Sequence, residues 1–139
     1  MKRNESIRHI MSTELVTAHP GERLSDVRQR MLEHKVHHLP VVDGGRFIGL
    51  ITSNDIMRVH WGDFYSQQSE QAEALLNTVS LRETMQEDVL TIKPSATVRD
   101  AVTLLSTGTF HSLPVVDDDG TLVGMVTTTD LLRYLLEQY

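Results

Sequence analysis

The feature that most constrains this chain is that one supersecondary unit is written in it twice. His37-His38-Leu39-Pro40-Val41-Val42-Asp43 is answered 74 residues later by His111-Ser112-Leu113-Pro114-Val115-Val116-Asp117. At the same offset Met11 meets Met85, Thr17 meets Thr91, Pro20 meets Pro94 and Asp26 meets Asp100. After one extra residue in the second copy, Gly49 meets Gly124, Thr52 meets Thr127 and Asp55 meets Asp130. A repeat in register means that whatever one copy folds into, the other must fold into as well. The copies occupy residues 7–60 and 81–139, joined by a linker at 61–80.

Each copy has a readable local pattern. Leu15-Val16-Thr17 and Val89-Leu90-Thr91-Ile92 are short β-prone runs, each stopped by a proline. Leu24, Val27 and Met31 form an amphipathic helical stripe, and Val98, Ala101, Val102 and Leu105 repeat it. Residues 39–42 and 47–51 predict strands around the turn Asp43-Gly44-Gly45-Arg46. Residues 113–116 and 122–126 predict the same around Asp117-Asp118-Asp119-Gly120. A second helix follows, entered at Thr52 or Thr127. The predicted order is strand, helix, strand, strand, helix, twice over. A unit of roughly 55 residues is marginal alone. The two α/β copies are therefore expected to pack together with pseudo-two-fold symmetry, leaving a groove at their junction where ligand sites tend to form.

Composition narrows the function classes. The net charge is −6 over 139 residues, which argues against a nucleic-acid binder, since a phosphate backbone needs a basic face. Cysteine is absent, so disulfides and thiolate metal sites are excluded and a cytoplasmic location is expected. No apolar run approaches the roughly 20 residues of a membrane span. His34, His37 and His38 lie close in sequence, but without Cys or a carboxylate pattern their spacing is not that of a metal site, and none is expected. Neither a P-loop nor a nucleophile–base arrangement occurs, so the chain reads as a non-enzyme.

The chemistry-bearing pattern is Thr52-x-x-Asp55 and Thr127-x-x-Asp130. One reading is a capping box, in which Thr caps the helix and the acidic residue caps back. The other is nucleotide binding: a carboxylate accepts two hydrogen bonds from a vicinal ribose diol, while helix-start N–H groups and the hydroxyl meet phosphate. Both readings can hold for one Thr. Arg58 and Arg133, three residues after each Asp, are either a source of positive charge or solvated surface residues.

The two motif pairs, Leu39-Pro40-Val41-Val42-Asp43 with Gly49-Leu50-Ile51-Thr52-Ser53-Asn54-Asp55, and Leu113-Pro114-Val115-Val116-Asp117 with Gly124-Met125-Val126-Thr127-Thr128-Thr129-Asp130, resemble the CBS domain pair, or Bateman module. The resemblance covers nearly all of the chain except the linker and is nearest to small free-standing bacterial CBS-pair proteins. It implies a sensor that binds an adenine nucleotide (AMP, ADP or ATP) in the inter-repeat cleft and pairs into a homodimer. It also implies roles: Asp55 and Asp130 hold ribose, and Thr52 and Thr127 lie near phosphate. Thr17 and Thr91 belong to the segment whose backbone reads the adenine edge. His37, His38 and Pro40, with His111, Ser112 and Pro114, form the strand-start segment beside the phosphate. Relatives often carry His-Arg there; this chain has His37-His38 and His111-Ser112. The histidines predict stronger phosphate binding in the first copy. S-adenosylmethionine is an alternative ligand, and a ligand-free interaction module is the alternative function. The latter rests on the apolar second helices around Met57 and residues 131–136. In the linker, Trp61, Phe64 and Tyr65 are read as core aromatics, with a dimer contact or a lid stacked near the adenine as the alternatives, and residues 70–76 as a short helix.

Overall fold

The computed structural model describes residues 4–59, 74 and 76–139. The linker aromatics and most of the helix expected at 70–76 lie outside the described residues. The chain forms two compact units, one of Val16–Val89 and one of Met1–Leu15 with Leu90–Tyr139. These units do not follow the repeats as written. The segment before the first copy belongs to the unit of the second, and residues 81–89 belong to the unit of the first.

In the Val16–Val89 unit, α1 (Leu24–His34) precedes β1 (His38–Asp43), β2 (Arg46–Thr52) and α2 (Ser53–Val59); α3 (Leu81–Thr84) joins them later in the chain. The other unit opens with a short 3-10 turn (Ile7–His9) and continues with α4 (Val98–Leu105), β3 (Ser112–Val116), β4 (Leu122–Thr127) and α5 (Thr128–Glu137). β1 pairs antiparallel with β2 and β3 with β4, each with one register shift. The first hairpin turns through Gly44 and Gly45 at φ of 60° and 82°, the paired positive values a two-residue hairpin loop needs.

The expected first strand of each copy is reduced to a single parallel bridge, Ala18 to Val41 and Ile92 to Val115. The Ala18 N–H donates to the Pro40 carbonyl at 2.9 Å and the Ile92 N–H to the Pro114 carbonyl at 3.0 Å. Each proline lacks an N–H, and its carbonyl is still used by this neighbouring segment. On the opposite edge a second short segment pairs with each hairpin. Gln86 exchanges both backbone hydrogen bonds with Leu50, and Ser12 does so with Met125. This close approach explains the paired glycines. A Cβ on Gly49 would stand 2.8 Å from the Gln86 carbonyl, and one on Gly124 would stand 2.7 Å from the Met11 sulfur.

The cores repeat as well. Leu24, Val27, Leu39, Val41, Ile51, Leu76 and Leu81 are fully buried in one cluster. Ile7, Ala101, Leu113, Val115 and Val126 are fully buried in the other. Ile7 and Leu81 thus anchor the short segments contributed from elsewhere in the sequence. Val102, expected on the buried stripe, is 44% exposed, because the helix turns only Val98, Ala101 and Leu105 inward.

Candidate functional site

In both units the same three pieces meet at the start of the second helix. β2 ends at Thr52 and runs straight into α2; β4 ends at Thr127 and runs straight into α5. The His37 carbonyl accepts the Ser53 N–H at 2.9 Å, and the His111 carbonyl accepts the Thr128 N–H at 3.1 Å. Residues 37 and 111 are therefore held at the helix start by their backbones, and both imidazoles remain exposed. His38 and Ser112 face Thr52 and Thr127 across the hairpin register. Pro40 and Pro114 are buried two register positions further along the hairpins.

The capping box is formed in each unit. Thr52 N–H donates to Asp55 Oδ2 at 2.8 Å and Asp55 N–H donates to Thr52 Oγ1 at 3.2 Å. Thr127 N–H donates to Asp130 Oδ2 at 2.9 Å and Asp130 N–H donates to Thr127 Oγ1 at 3.1 Å. Each box satisfies donors that the helix start leaves orphaned, and it fixes the carboxylate at the helix mouth.

Beyond the box the two carboxylates differ. Asp55 also accepts from the Thr52 hydroxyl at 2.9 Å and from Gln86 Nε2 at 3.0 Å, and it is ion-paired with Arg58. Its side chain has no exposed surface, although Arg58 itself is 70% exposed. Asp130 is half-buried, and Arg133 makes no ion pair with it among the described residues. The adenine-side positions differ too. The Thr17 carbonyl accepts from Arg30 at 2.9 Å, and Arg30 grips both carboxylate oxygens of Glu22. Thr91 is exposed, and Leu104 stands where Arg30 stands in the first copy. The Arg30 hydrogen bond holds the Glu22 carboxyl below the usual carboxylate range. Gln86, Arg30 and Glu22 were not singled out from the sequence. The signal for Gln86 was its place directly after Met85, where the first copy has Ser12 after Met11.

Among the described residues no three His, Cys, Asp or Glu side chains are placed to hold a metal ion, and no helix is long and apolar enough to cross a membrane. An apolar cavity of about 280 Å³ lies between α4 and α5, lined by Val98, Val102, Leu105, Leu131, Tyr134 and Leu135 among others.

Twice-written hairpins entering Thr-x-x-Asp helices define a class, and the comparisons agree with it. The CBS domain model matches residues 7–62 and 81–137, and the chain belongs to that family. The chain is 34% identical to the protein MJ1225 of Methanocaldococcus jannaschii over 133 residues, covering 94% of this chain and 47% of that one. The crystal structure of MJ1225 superposes with a TM-score of 0.84 over 97% of this chain and 49% of that chain, at 33% identity. CBSX2, an Arabidopsis thaliana CBS-pair protein, has been solved in complex with AMP. That complex matches at a TM-score of 0.80 and 25% identity, over 96% of this chain and 98% of that one. The CBS domain pair of MJ0100, solved with 5′-methylthioadenosine and S-adenosyl-L-methionine, matches at 0.79 and 26% identity over 98% and 99%. The chain spans about half the length of MJ1225, and 23% to 24% of relatives named as a homoserine O-acetyltransferase and an inosine-5′-monophosphate dehydrogenase.

Proposed function

We propose that this chain is a regulatory sensor that binds an adenine nucleotide (AMP, ADP or ATP) at the mouths of its Thr-x-x-Asp helices and carries out no chemistry on it. The observation that supports this most is the backbone-held meeting of His111, Thr127 and Asp130 at the start of α5. There a carboxylate with an uncommitted oxygen shares the helix start with the exposed His111. The carboxylate suits a ribose diol, and the helix start with its imidazole suits phosphate. His37, Thr52 and Asp55 form the corresponding set in the other unit. Thr17 and Thr91 lie in the segments proposed to face adenine, and Arg58 and Arg133 are proposed to supply charge. That a CBS-pair protein matched over 98% of its length is solved with AMP supports the ligand class. Relatives named as enzymes match over a minor share of their length, which supports a regulatory role for the matched part.

S-adenosylmethionine is the second reading, carried by the MJ0100 complex. It shares the adenosine but brings no phosphate. A thermal-shift series with AMP, ADP, ATP, GMP and S-adenosylmethionine separates the readings. A ligand selective for the folded state at a hundredfold excess over Kd adds about 2.7 kcal/mol. Adenine nucleotides are expected to raise the melting temperature and GMP to leave it unchanged. A shift with S-adenosylmethionine alone would replace the nucleotide reading, and no shift with any would refute both.

The chain is also proposed to form a homodimer. Leu132, Leu135 and Leu136 on α5 are 61%, 37% and 74% exposed, and the first two also line the apolar cavity between α4 and α5. Contiguous apolar surface on a small protein marks an interface. Sedimentation at micromolar concentration is expected to give twice the 15.7 kDa chain mass, and a clean monomer would contradict it.

A further inference from the structure

We infer that Gln86 is a latch that withholds the Asp55 carboxylate from a ribose diol, so that Asp130 is the one carboxylate of the pair open to a nucleotide. The inference rests on the adenine-nucleotide reading and specifies which of its two sites works. An ionised carboxylate offers about four acceptor positions. Four donor groups already occupy those of Asp55: the Thr52 N–H, the Thr52 hydroxyl, Arg58, and Gln86 Nε2, which reaches Oδ1 at 3.0 Å and Oδ2 at 3.3 Å. With its side chain fully buried beneath these groups, Asp55 presents nothing to a hydroxyl. Asp130 accepts one bond, from the Thr127 N–H, and among the described contacts its Oδ1 accepts none.

The cause is a single position on the edge segment. Gln86 and Ser12 occupy equivalent places, each exchanging two backbone hydrogen bonds with its hairpin. Gln carries an amide long enough to reach across to the carboxylate; Ser does not. The exposed Arg58 closes over Asp55 from the helix side, while Arg133 leaves Asp130 alone. The Thr17 carbonyl in the latched unit is likewise taken, by Arg30. The carboxylates therefore rank the copies in the opposite order to the histidines.

Exchanging the two residues tests this in the full-length chain, with AMP as the probe in titration calorimetry. Both positions are solvent-facing, and both variants keep the backbone pairing. The wild-type chain is expected to bind one AMP per chain. Ser12→Gln should weaken that binding by roughly 10- to 100-fold, as lost charge-assisted hydrogen bonds do. Gln86→Ser should add a second AMP per chain, and this second site should vanish in Gln86→Ser/Asp55→Ala. Two AMP per wild-type chain, or unchanged stoichiometry in Gln86→Ser with unchanged affinity in Ser12→Gln, would overturn the latch while leaving the nucleotide reading standing. Absence of AMP binding in every variant would overturn both.

Discussion

The two units are built on one plan and dressed differently, and the difference separates what holds a repeat together from what equips it to bind. Hairpin register, bridging segment, edge pairing, glycine contact and capping box recur almost atom for atom. The surroundings of the carboxylates do not. In the Val16–Val89 unit Arg58, Gln86 and the Arg30–Glu22 pair close the acceptors; in the other unit the matching residues are Arg133, Ser12 and Leu104, and the acceptors stay open. Backbone geometry is set by a few small and capping residues. Availability is set by side chains one segment away, which are free to diverge between copies.

The comparison can be broken at its strongest common feature, the glycines. Gly49→Ala and Gly124→Ala should each destabilise the fold by about 1–3 kcal/mol, the usual cost of forced overpacking. Gly49→Ala should cost more. Its added Cβ meets the Gln86 backbone carbonyl first, whereas that of Gly124→Ala meets the Met11 sulfur first, the end of a flexible side chain. Urea midpoints of the two variants check the order, and equal wild-type midpoints would show that the edge segments do not press on the hairpins as described.

The first helices sharpen the contrast at a smaller scale. α4 begins with a complete capping box, Thr97 with Asp100, while α1 begins at Arg23 with no side-chain cap. Thr97→Ala should cost about 1 kcal/mol, within the range for removing an N-cap hydroxyl. Arg23→Ala should cost almost nothing. A larger loss at Arg23 than at Thr97 in thermal melts would contradict the assignment of the caps.

The Arg30–Glu22 pair, present in one unit alone, gives a pH signature. The Arg30 hydrogen bond lowers the Glu22 carboxyl, so its stabilisation is complete above the unfolded carboxyl value and fades as pH falls through the lower folded one. For a two-point, half-buried Arg–carboxylate contact this is worth at most about 1 kcal/mol. Glu22→Gln should therefore be less stable than wild type at pH 7 and converge with it as pH falls below the lowered Glu22 value. A gap that persists undiminished at low pH would assign the loss to packing.

Much of this was legible beforehand. The repeat, both hairpins, the buried positions of α1 and the Thr-x-x-Asp boxes follow from periodicity, turn residues and spacing, all of them local properties. Two things were not local. Leu15-Val16-Thr17 reads as a strand, yet the chain makes a single bridge, at Ala18, because beyond the bonds from Ala18 to Pro40 and from Val42 to Ala18 the next donor on that edge of β1 would be residue 40, a proline without an N–H. Ile7 and Leu81 look like the first apolar residues of their own copies, but each is buried in the unit built around the other copy's hairpin. Nothing in a short window tells a segment which of two similar edges it will join. Gln86 stayed hidden for the same reason: its partner is 31 residues away, and only the fold brings them together.

The most direct test of the account is AMP affinity in Asp130→Ala beside Asp55→Ala, measured by titration calorimetry at neutral pH. Asp130→Ala should weaken AMP binding by about 1.5–3 kcal/mol, the range for hydrogen bonds to a charged group. Asp55→Ala should keep wild-type affinity and lose stability instead, since it leaves Arg58, Gln86 and the Thr52 N–H without their common acceptor. Wild-type affinity in Asp130→Ala, or no AMP binding by the unaltered chain, would contradict the claim that the carboxylate at the start of α5 is a ribose ligand.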